Sequence, residues 1–417
     1  MAGSTLADLN RVFARIGLLS FGGPAAQIAL MHRELVDERT WLTEQQFLRA
    51  LSFCMLLPGP EAMQLATYAG WRLHGVVGGL IAGLWFVLPG AVVVLCLAMI
   101  YAFLGDVPVV EALFLGVKAA VVAIVLEALF KVAKKALARP AHWVIAGLSF
   151  LGIFAFALPF PAIIAAAAIW GYLTTREPAG EAVALPAARG TGTTIAAWLA
   201  LWLAPIAALW LAGAELLTQV ATFFSKLAVV TFGGAYAVLA YMTQEVVQDR
   251  GWLTTAEMMD GLGLAETTPG PLILVTEFVG FLAGFREGGL ALAIAAAALT
   301  LWVTFVPCFL WIFAGAPYLD WISARPRLAG ALRAITAAVV GVILNLSLWF
   351  AAHVIFREVP TVNAGPLRII APEPASLDFA ALALAIGATF LLLVLKWPLL
   401  RVLGISALVG LGLGSLV

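Results

Sequence analysis

Long apolar stretches alternate with short polar segments along this chain of 417 residues. A helix needs about 20 apolar residues to cross a bilayer, and the stretches that fulfil this condition are residues 76–104, 112–130, 194–214, 288–319 and 334–356. Two other stretches, 142–173 and 379–417, are interrupted by Pro159 and Pro398, so we expect each to form a hairpin of two short helices. The pattern predicts an all-α polytopic membrane protein with about 10–12 membrane-embedded segments.

Three short motifs occur twice, and the two copies of each are separated by the same 211 residues. The pairs are Phe21-Gly22-Gly23 with Phe232-Gly233-Gly234, Trp41-Leu42-Thr43 with Trp252-Leu253-Thr254, and Pro58-Gly59-Pro60 with Pro269-Gly270-Pro271. Residues 15–60 and 226–271 share 16 identities in 46 aligned positions. The chain is therefore a fused duplication, which we divide into a first domain at 1–173, a linker at 174–193 and a second domain at 194–417.

Lysine and arginine in the loops indicate how the two domains are inserted, because cytoplasmic loops carry an excess of both. In the first domain, residues 105–110 contain no basic residue, whereas residues 131–139 contain four. In the second domain, Arg325 and Arg327 precede the corresponding span and only Arg357 follows it closely. The reversal predicts opposite orientations for the two domains, as in the inverted repeats of many secondary transporters.

The composition excludes a soluble globular protein, since 63% of the residues are hydrophobic and only 11% are charged. The 23 basic and 23 acidic residues balance, so no surface for nucleic acid is expected. The three cysteines lack metal-binding or disulfide spacing, and no removable signal peptide is expected at the N-terminus. Plain spans do not need 39 glycines and 21 prolines, so we expect broken helices.

The two Pro-Gly-Pro motifs lie inside apolar stretches, where proline and glycine should split each segment into two half-helices. In a membrane, such non-helical backbone is tolerated only when it is buried in protein or lines a wet cavity. The half-helix after each break presents free amides and the positive end of its dipole, which favour an anion. A simple packing kink is the alternative.

The Phe-Gly-Gly motifs follow Ser20 and Thr231, and each combines a hydroxyl with exposed backbone near the breaks. Close helix packing is the alternative reading of these glycines. Further hydroxyls close to the breaks belong to Thr67 and Thr276. The candidate substrate-binding residues are Ser20, Phe21, Gly22, Gly23, Pro58, Gly59, Pro60, Thr231, Phe232, Gly233, Gly234, Thr267, Thr268, Pro269, Gly270 and Pro271.

Acidic residues near the breaks are candidates for carrying protons, because an intramembrane charge is costly and suggests function. Glu61 follows the first Pro-Gly-Pro directly, and Glu266 and Glu277 flank the second. None of the three recurs in the other copy, so the two domains should not do the same task. A salt bridge or a helix cap is the alternative for each.

Basic residues near the motifs are candidates for coupling or gating. Lys118 lies inside a span, where it either pairs with Glu111 or attracts an anion. Arg39 and Arg250 recur within polar segments that join the Phe-Gly-Gly and Pro-Gly-Pro motifs. Each polar segment is either an interfacial helix anchored by a tryptophan or a gate that attracts anions.

No catalytic or cofactor-binding pattern is present. The four histidines are scattered, and neither HExxH nor GxSxG occurs. The sequence therefore predicts a transporter and no enzyme, without a metal site or cofactor.

The segments Phe21-Gly22-Gly23-Pro24, Trp41-Leu42 and Leu57-Pro58-Gly59-Pro60, with their second copies, resemble the chromate ion transporter family in its long, two-domain form. The resemblance covers essentially the whole chain. It implies a multi-pass protein of the bacterial inner membrane that exports chromate, a tetrahedral dianion resembling sulfate, and confers chromate resistance. It also implies antiparallel domains and a link to the proton motive force or to anion exchange.

The second copy departs from the family pattern at Ala235 and Thr268, which replace Pro24 and Leu57. We therefore do not expect both copies to contact the substrate alike. Combined with the breaks, the resemblance suggests one oxyanion site between two opposed Pro-Gly-Pro motifs, and alternating access by rocking of one repeat against the other. A carrier or a channel for sulfate or another small anion fits the same features, and the oligomeric state is left open.

Overall fold

A computed structural model describes residues 4–105, 107–176, 190–232, 235–365 and 367–414. The chain forms two compact units, each built from three segments of the sequence. Unit 1 comprises Met1–Met99, Glu177–Ala235 and Thr268–Ala329, and unit 2 comprises Ile100–Arg176, Tyr236–Thr267 and Gly330–Val417. Each unit therefore takes segments from both sequence repeats. The repeats and the compact units are different divisions of the chain.

Helices make up nearly all of the regular structure, as the apolar pattern predicts. In chain order they are α1 (Leu6–Leu19), α2 (Gly23–His32), α3 (Glu44–Cys54), α4 (Glu61–Leu104), α5 (Pro108–Ala136), α6 (Pro140–Phe154), α7 (Phe160–Thr174), α8 (Thr191–Leu211), α9 (Glu215–Val230), α10 (Ala235–Thr243), α11 (Thr255–Thr267), α12 (Val275–Gly315), α13 (Leu319–Ser323), α14 (Pro326–Ile355), α15 (Phe379–Thr389) and α16 (Leu399–Gly414). Short π-helical segments, Arg33–Glu38, Gln244–Asp249 and Phe390–Val394, continue α2, α10 and α15.

The described part of the chain has five helical stretches long and apolar enough to cross a membrane. They are Glu61–Leu104, Pro108–Ala136, Thr191–Leu211, Leu272–Ser323 and Pro326–Ile355. The expected hairpins are also present, because α6 and α7 flank Pro159, and α15 and α16 flank Pro398. The prediction of an all-α polytopic membrane protein is confirmed.

Both Pro-Gly-Pro motifs break the helix in which they lie. The first separates α3 from α4, and the second separates α11 from a 3-10 turn at Leu272–Leu274 that leads into α12. The helix before each break begins with a threonine cap, at Thr43 and at Thr254, whose hydroxyl accepts from the amide three residues later. The predicted half-helices are therefore confirmed.

A second break lies within each of the two long helices. Near Gly75 in α4 and Gly289 in α12 the backbone leaves helical geometry, with φ of 63° and 68°. The helical arms before and after each of these turns pack closely against each other at glycines. In α4, a Cβ on Gly70 would lie 2.2 Å from the carbonyl oxygen of Gly78. The segment between each Pro-Gly-Pro and its second break is thus one short arm of a hairpin.

Two elements depart from a purely helical pattern. In unit 2 the strands β1 (Thr361–Ala364) and β2 (Leu367–Ile370) pair antiparallel, with Thr361 opposite Ile370. The apolar periodicity did not reveal this hairpin, because each strand has only four residues. The core of unit 2 is formed where α5 packs against α11, α15 and α16.

Candidate functional site: the two broken helices of unit 1

Each Pro-Gly-Pro break is hydrogen bonded to the opposite sequence repeat. The Gly59 amide donates to the Thr231 carbonyl at 2.9 Å, and the Gly270 amide donates to the Ser20 carbonyl at 2.8 Å. Ser20 and Thr231 occupy equivalent positions, directly before the two Phe-Gly-Gly motifs. A reciprocal exchange of this kind is the contact pattern of a two-fold axis, so the two repeats contact each other here in an approximately symmetric way.

The glycine of each break also packs against a long helix of the other repeat. A Cβ on Gly59 would lie 2.9 Å from Cys308 Sγ in α12, and a Cβ on Gly90 of α4 would lie 2.1 Å from the Pro269 carbonyl oxygen. Gly59 and Gly270 have φ of 118° and 89°, where residues with a side chain are strained. The backbone geometry therefore favours glycine at both breaks, and at Gly59 a side chain would also crowd Gln64 and Cys308.

Two buried glutamines donate hydrogen bonds to backbone carbonyls at the breaks and at Ser20. Gln27 donates from Nε2 to the Gly270 carbonyl at 2.7 Å and to the Ser20 carbonyl at 3.3 Å. Gln64 donates from Nε2 to the Pro58 carbonyl at 2.7 Å. Both side chains are at most 1% exposed. The side-chain oxygens Gln27 Oε1 and Gln64 Oε1 have no hydrogen-bond partner among the described residues.

The first turns after both breaks line one small cavity of about 10 Å³. Its wall is formed by Pro24, Gln27, Pro60, Glu61, Ala62, Thr231, Pro271, Leu272 and Ile273. The first amides of a helix have no partner within that helix, so the cavity is bordered by two groups of donors that suit an anion. Its volume is at the lower limit for one water molecule, and an oxyanion could enter only if the cavity widened.

The hydroxyl groups near the breaks donate to backbone carbonyls of their own helices. Ser20 Oγ donates to Ile16 at 2.7 Å, and Thr231 Oγ1 donates to Leu227 at 2.5 Å. The hydroxyls of three other candidate residues do the same, namely Thr67, Thr267 and Thr276. Their role as donors to a ligand stays a prediction, and it requires that they turn away from these carbonyls.

The Phe-Gly-Gly motifs directly follow Ser20 and Thr231, whose carbonyls accept the hydrogen bonds from the break glycines. Gly22 and Gly23 form the turn from α1 into α2, with φ of 85° and 78°. Phe21 is 36% exposed. Phe232 is half-buried. The two glycines that follow it, Gly233 and Gly234, lie outside the described residues. Thr268, directly before the second Pro-Gly-Pro, is buried.

The three acidic candidates have different surroundings. Glu61 lines the cavity of unit 1. Glu277, in the first turn of α12, is 2% exposed, and its Oε2 finds no hydrogen-bond partner among the described residues. Glu266 lies in unit 2 at the end of α11, where Tyr236 donates to its Oε1 at 2.8 Å. Glu277 is therefore the acidic group whose burial is least compensated.

Lys118 has a different partner from the one expected. Its Nζ lies 3.7 Å from Asp260 Oδ2 in unit 2, and the Tyr101 hydroxyl donates to the same oxygen at 2.9 Å. Of the two alternatives for Lys118, the pairing with Glu111 is not the one found, because α11 brings the buried carboxylate of Asp260 next to α5. The sequence did not reveal Asp260, which has no acidic counterpart in the first repeat.

Arg39 and Arg250 each contact a glutamate and a tryptophan, and we call this three-residue arrangement the clamp. In unit 1, Arg39 Nη1 lies 2.5 Å from Glu34 Oε2, and its guanidinium lies 6.0 Å from the Trp41 ring centroid. In unit 2, Arg250 Nε lies 3.5 Å from Glu245 Oε2, and its guanidinium lies 5.0 Å from the Trp252 ring centroid. Both arginines are thus engaged by protein groups.

Several functional groups of this site could not be recognised in the sequence. Gln27 and Gln64 do not recur in the second repeat, where valine occupies both equivalent positions. The only available signal was an amide side chain within an apolar helix, which must find a hydrogen-bond partner when buried.

Comparison with known proteins identifies the family. The sequence profile described as "Chromate transporter" matches residues 7–172 and 218–411. The "Chromate transport protein" of Pseudomonas aeruginosa is 33% identical over 85% of this chain and 82% of its own length, and that of Cupriavidus metallidurans is 30% identical over 86% and 85%. The "Probable chromate transport protein" of Synechococcus elongatus is 30% identical over 91% of this chain and 95% of its own length. No solved structure matches the chain. The two matched regions correspond to the two repeats, and the chain belongs to the chromate transporter family.

Proposed function

We propose that this protein is a secondary active transporter that exports chromate across the cytoplasmic membrane and thereby confers chromate resistance. Relatives that are about one third identical over most of the chain are named chromate transport proteins. Chromate is a tetrahedral dianion, and a buried site for it must supply several hydrogen-bond donors.

The reciprocal breaks of unit 1 carry this proposal. Two half-helix N-termini, one after Pro60 and one after Pro271, border the same cavity. Such termini bind oxyanions through backbone amides and the helix dipole. Carbonyls that would repel an anion are held by Gln27 and Gln64. The small cavity corresponds to a closed state, and transport requires a state in which the two breaks move apart.

The membrane potential can drive this export. Moving one charge across a membrane is worth about 2.3 kcal/mol per 100 mV, so an inside-negative potential favours outward movement of a dianion by about twice that amount. Coupling to protons or exchange against another anion would change the net charge that moves. Glu61, Glu266 and Glu277 are the candidates for carrying the proton.

Chromate uptake by everted membrane vesicles tests this function. We expect uptake that an uncoupler abolishes and that sulfate inhibits only in excess. Vesicles from cells that express a Gly90→Ala variant provide the matched control. Equal uptake in both vesicle types would refute the assignment of the site. Accumulation of sulfate but not of chromate would show that the protein transports a different tetrahedral dianion.

A further inference from the structure

Unit 2 contains a polar cavity of its own. Its volume is about 210 Å³, far above the roughly 10–15 Å³ that one water molecule requires. The cavity lies among the ends of α6 and α14, the π-helical segment after α10, the start of α11 and the β-hairpin. The residues that matter for its chemistry are Thr243, Gln244, Gln248, Thr255, Asn345, Trp349, His353 and Arg368.

His353 Nδ1 lies 2.8 Å from the Trp349 carbonyl oxygen, whereas other polar side chains of this cavity lack hydrogen-bond partners among the described residues. Thr243 is 3% exposed, and its Oγ1 has no hydrogen-bond partner in the described part of the chain. Nor do the side chains of Gln244 and Asn345 have hydrogen bonds to any described residue. A buried polar group normally finds a partner in protein or in water. Thr243 is buried, whereas Gln244 and Asn345 are partly exposed, so the cavity offers one buried and two accessible polar groups to a polar ligand.

The charge of the lining favours an anion. Arg368 is the one permanently charged residue among those that line the cavity, and no carboxylate lines it. Its guanidinium has no ion pair within 4.0 Å among the described residues. The planar guanidinium offers five donors that match the geometry of an oxyanion. The hydroxyl and amide groups opposite it supply neutral donors.

Asp249 competes with an anionic ligand for the positive charge of Arg368. It lies on the π-helical segment outside the lining residues, and Arg368 is among the groups that act on its charge. The negative charge of Asp249 weakens the attraction of Arg368 for an anion. The balance of these two residues should therefore set the affinity of the cavity.

We propose that this cavity is a second oxyanion-binding site, in which Arg368, Thr243 and Asn345 bind a tetrahedral oxyanion. The identity of that anion as the transported substrate rests on the proposed function, whereas the site itself depends only on the residues described. The same chemistry fits a free dianion and the phosphate of a lipid headgroup. If the ligand is a free dianion, this cavity would bind the substrate before or after it crosses the membrane.

Binding of radiolabelled sulfate to the purified full-length protein tests the site. We expect Arg368→Gln to weaken binding about tenfold or more, because it removes a charge-assisted hydrogen bond. Thr243→Val and Asn345→Leu should weaken it less. Asp249→Asn should tighten it. Arg401→Gln is the matched control, since Arg401 is also an exposed arginine of unit 2 and does not line the cavity.

The two sources of oxyanion are separated by adding phosphatidylglycerol. Displacement of sulfate by this lipid from the wild type but not from Arg368→Gln identifies a headgroup site, whereas retained sulfate binding identifies a site for the free dianion. Equal binding of sulfate by Arg368→Gln and Arg401→Gln, with no effect of the lipid on either, would overturn the proposal. Chromate transport by that Arg368→Gln protein would show that the proposed function survives without this site.

Discussion

The Gly270 amide donates a hydrogen bond to the carbonyl of Ser20, which lies 250 residues earlier in the chain. The equivalent bond, from Gly59 to Thr231, joins the repeats in the opposite sense. Each break is therefore completed by backbone from the other repeat. Any motion that opens the cavity must lengthen or exchange these two bonds, so both glycines lie where a transport cycle would act.

Gly90→Ala should abolish transport while the protein still reaches the membrane. The added methyl group would lie 2.1 Å from the Pro269 carbonyl oxygen, so the second break must shift. Gly147→Ala is the control, because a Cβ there meets nothing within 4 Å. That substitution should preserve transport and stabilise the helix by up to about 1 kcal/mol. Normal transport by Gly90→Ala would remove this contact from the mechanism.

Gln27→Leu should lower the stability of the protein by about 1–3 kcal/mol, because it leaves the buried Gly270 carbonyl without its side-chain donor. Gln64→Leu should act in the same way on Pro58. Thermal unfolding in detergent measures both effects. Gln45→Leu, at an exposed position of α3, is the matched control. Equal melting temperatures for all three variants would show that the glutamines do not support the breaks.

Arg39→Gln should destabilise the protein more than Arg250→Gln does. Glu34 is fully buried, and Arg15 at 3.3 Å would remain as its one cationic partner. Breaking a buried pair costs about 3–5 kcal/mol when the other charge has no compensation. Glu245 is partly exposed and also accepts from Tyr241 at 3.0 Å.

The double variant Glu34→Gln with Arg39→Gln should regain part of the stability lost in the single variant, since it removes a buried charge that, among the described residues, Arg15 alone would otherwise compensate. Thermal unfolding of the series measures this coupling. If Arg39→Gln altered chromate transport without changing stability, the clamp would act as a gate.

Protonated His32 should stabilise the protein. Its Nε2 lies 2.5 Å from Glu44, and its Nδ1 lies 3.3 Å from Asp37. The hydrogen bond to Glu44, followed by the charges of Glu44 and Asp37, raises the pKa of His32 above its ordinary value of 6.5. A raised pKa gives stability that is fully present below 6.5 and is lost as pH rises through the pKa of the folded state.

His32→Gln should therefore lower the melting temperature at acidic pH and have little effect at alkaline pH. Melting curves of both proteins across this range measure the difference. A constant difference at all pH values would assign the loss to packing against Phe47, whose ring centroid lies 5.1 Å from that of His32.

Glu277→Gln should uncouple transport from a pH gradient while it leaves exchange of labelled for unlabelled chromate intact. The substitution keeps the shape of this buried side chain and removes its ability to carry a proton. Proteoliposomes with an imposed pH gradient measure both activities. Glu257→Gln, at the start of α11, provides a comparison. An unchanged response to the gradient would exclude Glu277 as the coupling residue.

Local chemistry made much of the fold predictable from the sequence. Pro159 and Pro398 marked the hairpins, and Pro-Gly-Pro marked the half-helices, because proline removes an amide donor and blocks a helix. These features depend on residues that are neighbours in sequence. The second break at Gly75 was less visible, because a single glycine in an apolar stretch is compatible with a continuous helix.

The site was only partly predictable, because its essential contacts join distant segments. The positions of Gly59 and Gly270 followed from the duplication, but the carbonyl groups that they contact did not. The same holds for Lys118, whose partner Asp260 is supplied by another helix. Spacing along a single helix favoured Glu111 and contained no information on α11. Contacts of this kind depend on packing that a single sequence does not specify.

The reciprocal hydrogen bonds of the two Pro-Gly-Pro breaks also bear on how such a protein could have arisen. A chain with only one repeat would contain a break glycine whose amide has no carbonyl to contact, and a carbonyl before Phe-Gly-Gly with no amide to receive. Two copies facing each other would satisfy both groups at once, since the exchange is reciprocal. A symmetric pair of single-repeat chains would therefore satisfy both groups, and joining the two copies in one chain keeps this pairing while each half is free to change on its own.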